Sequence, residues 1–192
     1  MATFYRAAGI GTYWHAKDAR LSGFIPHSPG ATPSCDSLMN HIARATIASR
    51  FVSLTRSYGV AKDYAINASR ILPSSSNPAY VYKIELDDPS RYQITLLDPI
   101  IEVANHLPNP PCDDLTYHHD GAPSFLLGVI DPFGSKHHLS AQIEQPPGSA
   151  GTSRAANLTI QLETLVRALR DSEVLASGAI PATCIVDRFD VS

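Results

Sequence analysis

The chain has 192 residues, which predicts a single domain with an unassigned insertion at about 90–150. Apolar residues make up 44% of it and charged residues 17%, a composition typical of globular proteins that excludes an intrinsically disordered chain. The net charge of −3 excludes the strong basic character of most nucleic-acid-binding proteins. No apolar run approaches the roughly 20 residues that cross a membrane, so no membrane partner is expected.

Cysteines and histidines show no pattern of a metal site. Cys35, Cys112 and Cys184 are odd in number and far apart, which favours neither a disulfide framework nor a zinc site. The histidine pairs at 118–119 and 137–138 match no standard zinc spacing, because neighbouring side chains on an extended chain point in opposite directions. The N-terminal stretch MATFYRAAGI lacks the features of a signal peptide, so we expect action in a cytosol.

The first half of the chain contains predicted strands and separated helices. FYRAA predicts a strand, the stretch rich in Gly, Pro and Ser that follows predicts a long functional loop, and Leu38 and Ile42 share one face of a predicted helix. In chain order the predicted elements are a strand at 3–8, a loop at 10–34, a helix at 35–49, a strand at 50–55, a helix at 57–69 and a strand at 79–86.

The second half has less regular patterns. RYQITLLDPIIEVANHL predicts one or two strands interrupted by Pro99, and FLLGVI predicts a buried strand after a turn at Asp120-Gly121. The leucine spacing within 153–170 predicts a helix, and ATCIVDRF at 182–189 predicts a final strand. Strands outnumber helices and no βαβ alternation is visible, so the predicted class is α+β with a mostly antiparallel sheet.

Two carboxylates stand at the start of the predicted strand in DSEVLASGAIPATCIV. If Asp171 and Glu173 both belong to that strand, they lie on the same face, since side chains repeat every two residues. Charges that protect a strand edge and a catalytic acidic pair both explain this pattern. A second spaced pair, Gln142 and Glu144, precedes a loop instead of a strand.

Three other groups are candidates for function. Arg6 lies within an apolar strand, which fits either a snorkelling side chain or a fork that binds phosphate. Ser53 and Thr55 end a strand with both hydroxyls on one face, and could simply cap the next helix. His41 lies inside a helix, where a single histidine usually has no function. The sequence contains no GxSxG, P-loop or GxGxxG motif.

The order of these motifs resembles that of the mono-ADP-ribosyltransferase toxins of the cholera and pertussis type. FYRA is similar to the family's arginine strand, FVSLT to its S-T-S strand with Leu54 at the middle position, and DSEVLASGAIP to its [Glu/Gln]-x-Glu segment. SLMNHIARA is similar to the helix with the family's ribose-contacting histidine. The resemblance covers 3–86 and 162–187, and implies an ADP-ribosyltransferase-like fold with a mostly antiparallel split sheet and flanking helices.

The resemblance also implies roles for these residues with NAD as substrate. Arg6, beside Ala7, would bind an NAD phosphate and ribose, and His41 would lie beside the adenosine ribose. Ser53, supported by Thr55, would hold Glu173, whose carboxylate would accept a hydrogen bond from the nicotinamide ribose and stabilise the oxocarbenium-like transition state. Asp171 takes the place of the family's acceptor-contacting residue; because it keeps a negative charge, a guanidinium acceptor is mildly preferred and a nucleobase remains open.

The implied activity is that of an NAD-dependent mono-ADP-ribosyltransferase, a glycosyltransferase acting as a toxin or virulence effector. Its acceptor would be a macromolecule, a protein in preference to a nucleic acid, and a delivery subunit or an antitoxin would be a further partner. Two alternatives remain open. One is an NAD glycohydrolase on the same fold, and the other is a non-catalytic binding module with a degenerate site.

Overall fold

A computed structural model describes residues 2–45, 48–104 and 151–192. The strands in these ranges are β1 (Ala2–Ala8), β2 (Phe51–Thr55), β3 (Ala79–Leu86), β4 (Thr95–Leu97), β5 (Glu173–Ser177) and β6 (Ile185–Val191). The α-helices are α1 (Tyr13–Ala16), α2 (Ala19–Ser22), α3 (Cys35–Ala43), α4 (Tyr58–Asn67), α5 (Pro99–Ala104) and α6 (Gly151–Asp171). None of the described helices is long and apolar enough to cross a membrane.

The chain divides into two compact units. The first, here called the sheet unit, comprises 1–33, 47–97 and 171–192 and contains all six described strands together with α1, α2 and α4. The second, here called the helical unit, comprises 34–46 and 98–170 and contains α3, α5 and nearly all of α6. The single domain with an insertion at about 90–150 stays a prediction.

The six strands form one sheet in the order β4-β5-β2-β1-β3-β6, and every pairing between them is antiparallel. β1 pairs with β3 along seven residues and β2 pairs with β5 along five, but β1 and β2 share only the pair Tyr5–Thr55. The sheet is therefore split into two three-stranded halves. This confirms the predicted α+β class with a mostly antiparallel, split sheet and flanking helices.

The two faces of β1 bury different clusters, as the alternation of strand side chains requires. Phe4 and Ala8 belong to the main core, which gathers around Phe24 and Tyr82. The intervening Tyr5 and Ala7 pack against a second cluster that includes two alanines of α4. Residue 6 therefore shares the main-core face with Phe4 and Ala8.

The segment predicted as a loop at 10–34 contains two one-turn helices, each too short to produce a periodic pattern. Asp18 caps α2 by accepting a hydrogen bond from the backbone N–H of Arg20. The Tyr82 hydroxyl lies 3.3 Å from both the Ala19 nitrogen and the Trp14 carbonyl oxygen, which ties both short helices to β3. The segment is anchored because Trp14, Ala19 and Phe24 belong to the main core.

Other sequence predictions are confirmed, corrected or outside the described residues. The elements β1, β2, α4, β3 and α6 lie where they were expected, whereas α3 is shorter than predicted and β6 begins only after a 3₁₀ turn. A second strand after Pro99 is wrong, because Pro99 begins α5 and the Asp98 side chain accepts from the Ile100 N–H. The strand FLLGVI, the turn at 120–121, the four paired histidines, Cys112 and Glu144 lie outside the described residues.

Two glycine substitutions should change stability in opposite directions. Gly23 has a φ of 71°, and a Cβ there would lie 2.2 Å from the Ile180 carbonyl oxygen, so Gly23→Ala should lower the free energy of unfolding by about 2 kcal/mol. Gly59 is exposed near the start of α4, and a Cβ there would meet only the Ser57 hydroxyl at 3.7 Å. Gly59→Ala should raise the free energy of unfolding by about 0.5 kcal/mol. Urea unfolding measures both changes, and equal stability of the two variants would contradict this account.

Candidate active site at the split in the sheet

Arg6 reaches across the split between the two halves of the sheet. Its guanidinium NH1 donates a hydrogen bond to the backbone oxygen of Ser53 on β2, at 2.5 Å. The charged carbon lies 5.4 Å from the centre of the Phe24 ring, close enough for a cation–π contact. The Arg6 Nε atom is buried and has no hydrogen-bond partner among the described residues. A buried guanidinium nitrogen with unused donor capacity suits an anionic ligand.

The charge of Arg6 is held in an environment poor in water. Burial lowers the pKa of Arg6 to about 10, and the negative charge of Glu173 opposes this shift. Arg6 therefore stays ionised at neutral pH, and Glu173 is close enough to interact with it electrostatically. The structure thus brings together the first and last of the predicted site residues, which are 167 positions apart in the chain (173 − 6).

The register of β2 against β5 places Glu173 on the same face as the two hydroxyl residues. Thr55 lies opposite Glu173, and Ser53 lies opposite Leu175. Residues directly opposite each other in an antiparallel pair share a face, as do residues two apart on one strand. Leu54 takes the place of the middle threonine of the S-T-S strand; its side chain lies on the opposite face and is buried in the main core. An apolar residue at position 54 therefore leaves the hydroxyl face unchanged.

By strand alternation alone, Arg6 would lie on the opposite face of the sheet from Ser53, Thr55 and Glu173. Tyr5 lies opposite Thr55, so Arg6 belongs to the opposite side of β1. The two halves share no other residue pair, and the guanidinium can bend into the split towards Ser53 and the charge of Glu173. The split in the sheet therefore brings a cation and an anion from opposite faces to one place.

Asp171 does not share a strand face with Glu173, so that sequence prediction is wrong. It is the last residue of α6, Ser172 follows with a left-handed φ of 47°, and Glu173 is the first residue of β5. The helical pattern meets no proline or glycine before this turn, and so it continues to Asp171. The Asp171 side chain is buried at 8% exposure and accepts a hydrogen bond from the Tyr64 hydroxyl at 2.6 Å.

His41 lies in the last turn of α3, in the helical unit. The other predicted site residues, including Ala7 on β1, lie in the sheet unit. The contact of His41 with the adenosine ribose therefore stays a prediction.

Sequence reasoning missed Phe24 and Tyr64. Phe24 stands in the segment predicted to be a loop, and nothing in its spacing links it to Arg6. Tyr64 lies in the predicted helix at 57–69, and because it is 44% exposed, no rule about buried hydroxyls indicated its hydrogen bond to Asp171. Among the described residues, no three histidine, cysteine or carboxylate side chains are grouped so as to hold a metal ion.

No protein-family model matches the sequence, and a search of characterised proteins finds no match. Among solved structures, the chain is similar to full-length CARDS toxin, with 14% sequence identity and a TM-score of 0.47 over 98% of this chain and 24% of that chain. It is also similar to nicked CARDS toxin, with 15% identity and a TM-score of 0.45 over 98% of this chain and 25% of that chain. The chain therefore spans about a quarter of the length of either neighbour.

Removing the charge of Arg6 should not destabilise the fold at neutral pH. Because the pKa of Arg6 is lower in the folded chain than its ordinary value, folding disfavours the charged form. This cost to stability is complete below about pH 10 and disappears as the pH rises towards the ordinary pKa of the guanidinium. Arg6→Met should therefore unfold at the same or a higher urea concentration than the wild type at pH 7.5, and any advantage should shrink above pH 10.

Arg6→Lys is the matched control for this measurement, since it keeps a cation on an unbranched side chain. A loss of about 2 kcal/mol or more in Arg6→Met at pH 7.5 would show that the hydrogen bond to Ser53 outweighs the cost of burying the charge.

Proposed function

We propose that the chain is an NAD-dependent mono-ADP-ribosyltransferase, a glycosyltransferase acting as a toxin or effector. The observation that carries the proposal is the position of Glu173, which lies opposite Thr55 in the sheet and interacts with the charge of Arg6 across the split. The order of motifs in the sequence supports it independently. A cation for phosphate, a fixed carboxylate and two hydroxyl residues are the groups that cleavage of NAD requires.

In this proposal Arg6 binds an NAD phosphate with its Nε donor, which has no hydrogen-bond partner in the described part of the chain. Glu173 accepts a hydrogen bond from the 2′-hydroxyl of the nicotinamide ribose, and Ser53 orients that carboxylate. As the bond between C1′ and the nicotinamide nitrogen breaks, nicotinamide leaves with the bonding electron pair as a neutral molecule. The positive charge that develops on the ribose is stabilised by the fixed carboxylate of Glu173.

Transfer is completed when a nucleophile of the acceptor forms a bond to C1′ and loses a proton. We propose a macromolecule as the acceptor, a protein in preference to a nucleic acid, in the cytosol of a target cell. A delivery subunit or an antitoxin would be a further partner. The preference for an arginine acceptor depended on an Asp171 carboxylate facing the acceptor, and the bond to Tyr64 together with burial of Asp171 removes that support.

The burial of Asp171 also favours a second candidate, an NAD glycohydrolase. Hydrolysis needs the same Arg6, Ser53 and Glu173 but no carboxylate that selects an acceptor, because water takes the acceptor's place. The two activities differ only in the product that carries the ADP-ribose.

The proposal predicts that release of nicotinamide from NAD depends on Glu173. Glu173→Gln keeps the size of the side chain and removes its charge, so release should fall by about 100-fold or more. Glu85→Gln is the matched control, since Glu85 pairs with Lys83 at a partly exposed position and such pairs contribute little. Glu144→Gln tests the second spaced pair. Both controls should release nicotinamide as the wild type does.

Labelled ADP-ribose on macromolecules of a cell lysate identifies a transferase, and free ADP-ribose alone identifies a glycohydrolase. If the wild type releases no nicotinamide with lysate present, the enzyme proposal is wrong and the non-catalytic binding module takes its place. If Glu144→Gln abolishes release and Glu173→Gln does not, the site has been placed on the wrong segment.

A further inference from the structure

We infer that Tyr64 and Asp171 form a positioning pair that fixes the turn leading into Glu173, and that Asp171 does not select the acceptor. The inference rests on the proposed function, because it concerns how the carboxylate of Glu173 is held. It gives Tyr64 a role that its place in the helical pattern did not indicate.

Asp171 and Ser172, the two residues before Glu173, accept three hydrogen bonds: one from β2, one from Arg56 directly after β2, and one from α4. The Thr55 hydroxyl donates to the backbone oxygen of Asp171 at 2.6 Å, and the backbone N–H of Arg56 donates to the backbone oxygen of Ser172 at 3.2 Å. The Tyr64 hydroxyl donates to Oδ2 of Asp171 at 2.6 Å. Two of these bonds hold the backbone, and only the third depends on the Asp171 side chain.

The turn needs such support because its backbone is unfavourable. Ser172 has a φ of 47°, in the left-handed region that is unfavourable for a residue other than glycine. A strained residue keeps its conformation only where its surroundings enforce it. Ser172 alone separates the end of α6 from Glu173, so a rotation at this residue moves the Glu173 carboxylate directly.

The bond between Tyr64 and Asp171 is of a strong type. A hydroxyl that donates to a carboxylate at this distance forms a charge-assisted hydrogen bond, and a buried carboxylate is costly unless it is paired in this way. The Thr55 hydroxyl also accepts a hydrogen bond from the backbone N–H of Ser57 at the N-terminus of α4. The β2–α4 connection and the turn before Glu173 therefore share one hydroxyl.

A carboxylate used in this way is poorly suited to contact an acceptor. Asp171 is only 8% exposed, and one of its oxygens already accepts from Tyr64. A guanidinium that bound Oδ2 would compete with a bond that supports the turn. Asp171 therefore acts on the reaction through the position of Glu173.

The test compares Tyr64→Phe with Tyr58→Phe. Both substitutions remove a hydroxyl from α4, and Tyr58→Phe preserves the ring contacts with Tyr5 and Phe189. Tyr64→Phe should lower kcat for nicotinamide release by about 10-fold or more and leave KM for NAD within about 2-fold, because misplacing a catalytic group affects the transition state more than ground-state binding. Tyr58→Phe should behave as the wild type. Equal kcat for both variants would overturn the inference.

Substitutions at Asp171 separate positioning from acceptor selection. Asp171→Asn keeps an oxygen that accepts from Tyr64, so it should lose less kcat than Asp171→Ala and give the same ratio of transferred to hydrolysed product as the wild type. A ratio that changes in Asp171→Asn, with kcat for nicotinamide release preserved in Asp171→Ala, would show that Asp171 selects the acceptor and would refute the positioning role.

Hydrogen exchange tests the same pair without any activity. The backbone amides of 172–174 should exchange about 10-fold faster in Tyr64→Phe than in the wild type, and at the wild-type rate in Tyr58→Phe. If the wild type releases no nicotinamide, the proposed function fails, yet faster exchange confined to this turn still supports the positioning pair. Unchanged exchange in Tyr64→Phe would overturn it whether or not the protein cleaves NAD.

Discussion

A single residue pair, Tyr5 opposite Thr55, joins the two halves of the sheet, and the candidate site depends on this constraint. A fully paired β1–β2 ladder would keep the side chains of Arg6 and Glu173 on opposite faces of a continuous layer. Because the pairing is limited to one position, the Arg6 guanidinium bends into the gap, donates to Ser53 and lies within the electrostatic reach of Glu173. Opposite charges from the two faces then share a site that neither face provides alone.

Several features at the split oppose stability. Arg6 is charged in surroundings that lower its pKa, and its buried Nε has no hydrogen-bond partner within the described ranges. Ser172 has a left-handed backbone directly before Glu173. Unfavourable features of this kind persist where the rest of a fold is strong enough to hold them, and they cluster at functional sites. Here the main core around Phe24 and Tyr82 lies on the Arg6 side, while the hydroxyls of Thr55 and Tyr64 secure the turn.

Strands and helices with a long periodic pattern could be predicted from the sequence. The prediction failed where a single local contact decides which element forms. β3 and α6 were predicted almost to the residue, since alternation and helical spacing run through their whole lengths. α5 was missed because a proline before apolar residues suits an edge strand as well as a helix N-terminus, and the Asp98 cap decides between them. The pairing of Ser53, Thr55 and Glu173 followed from the motif resemblance. Neither the resemblance nor any periodicity could show that Asp171 is bonded by Thr55 and Tyr64, because those hydroxyls lie more than 100 positions earlier in the chain.

That distance along the chain has a consequence for how the protein is made. Thr55 and Asp171 are 116 positions apart, so β2 cannot pair with β5 until most of the described sequence has been synthesised. At ordinary rates of translation this delay is on the order of 10 s, and closing so long a loop is also among the slower steps of folding. A nascent chain that ends before Glu173 has Arg6 and both hydroxyl residues but lacks the carboxylate. If the chain cleaves NAD, the cell that produces it is exposed to that activity only after the last part of the site has been translated and has folded.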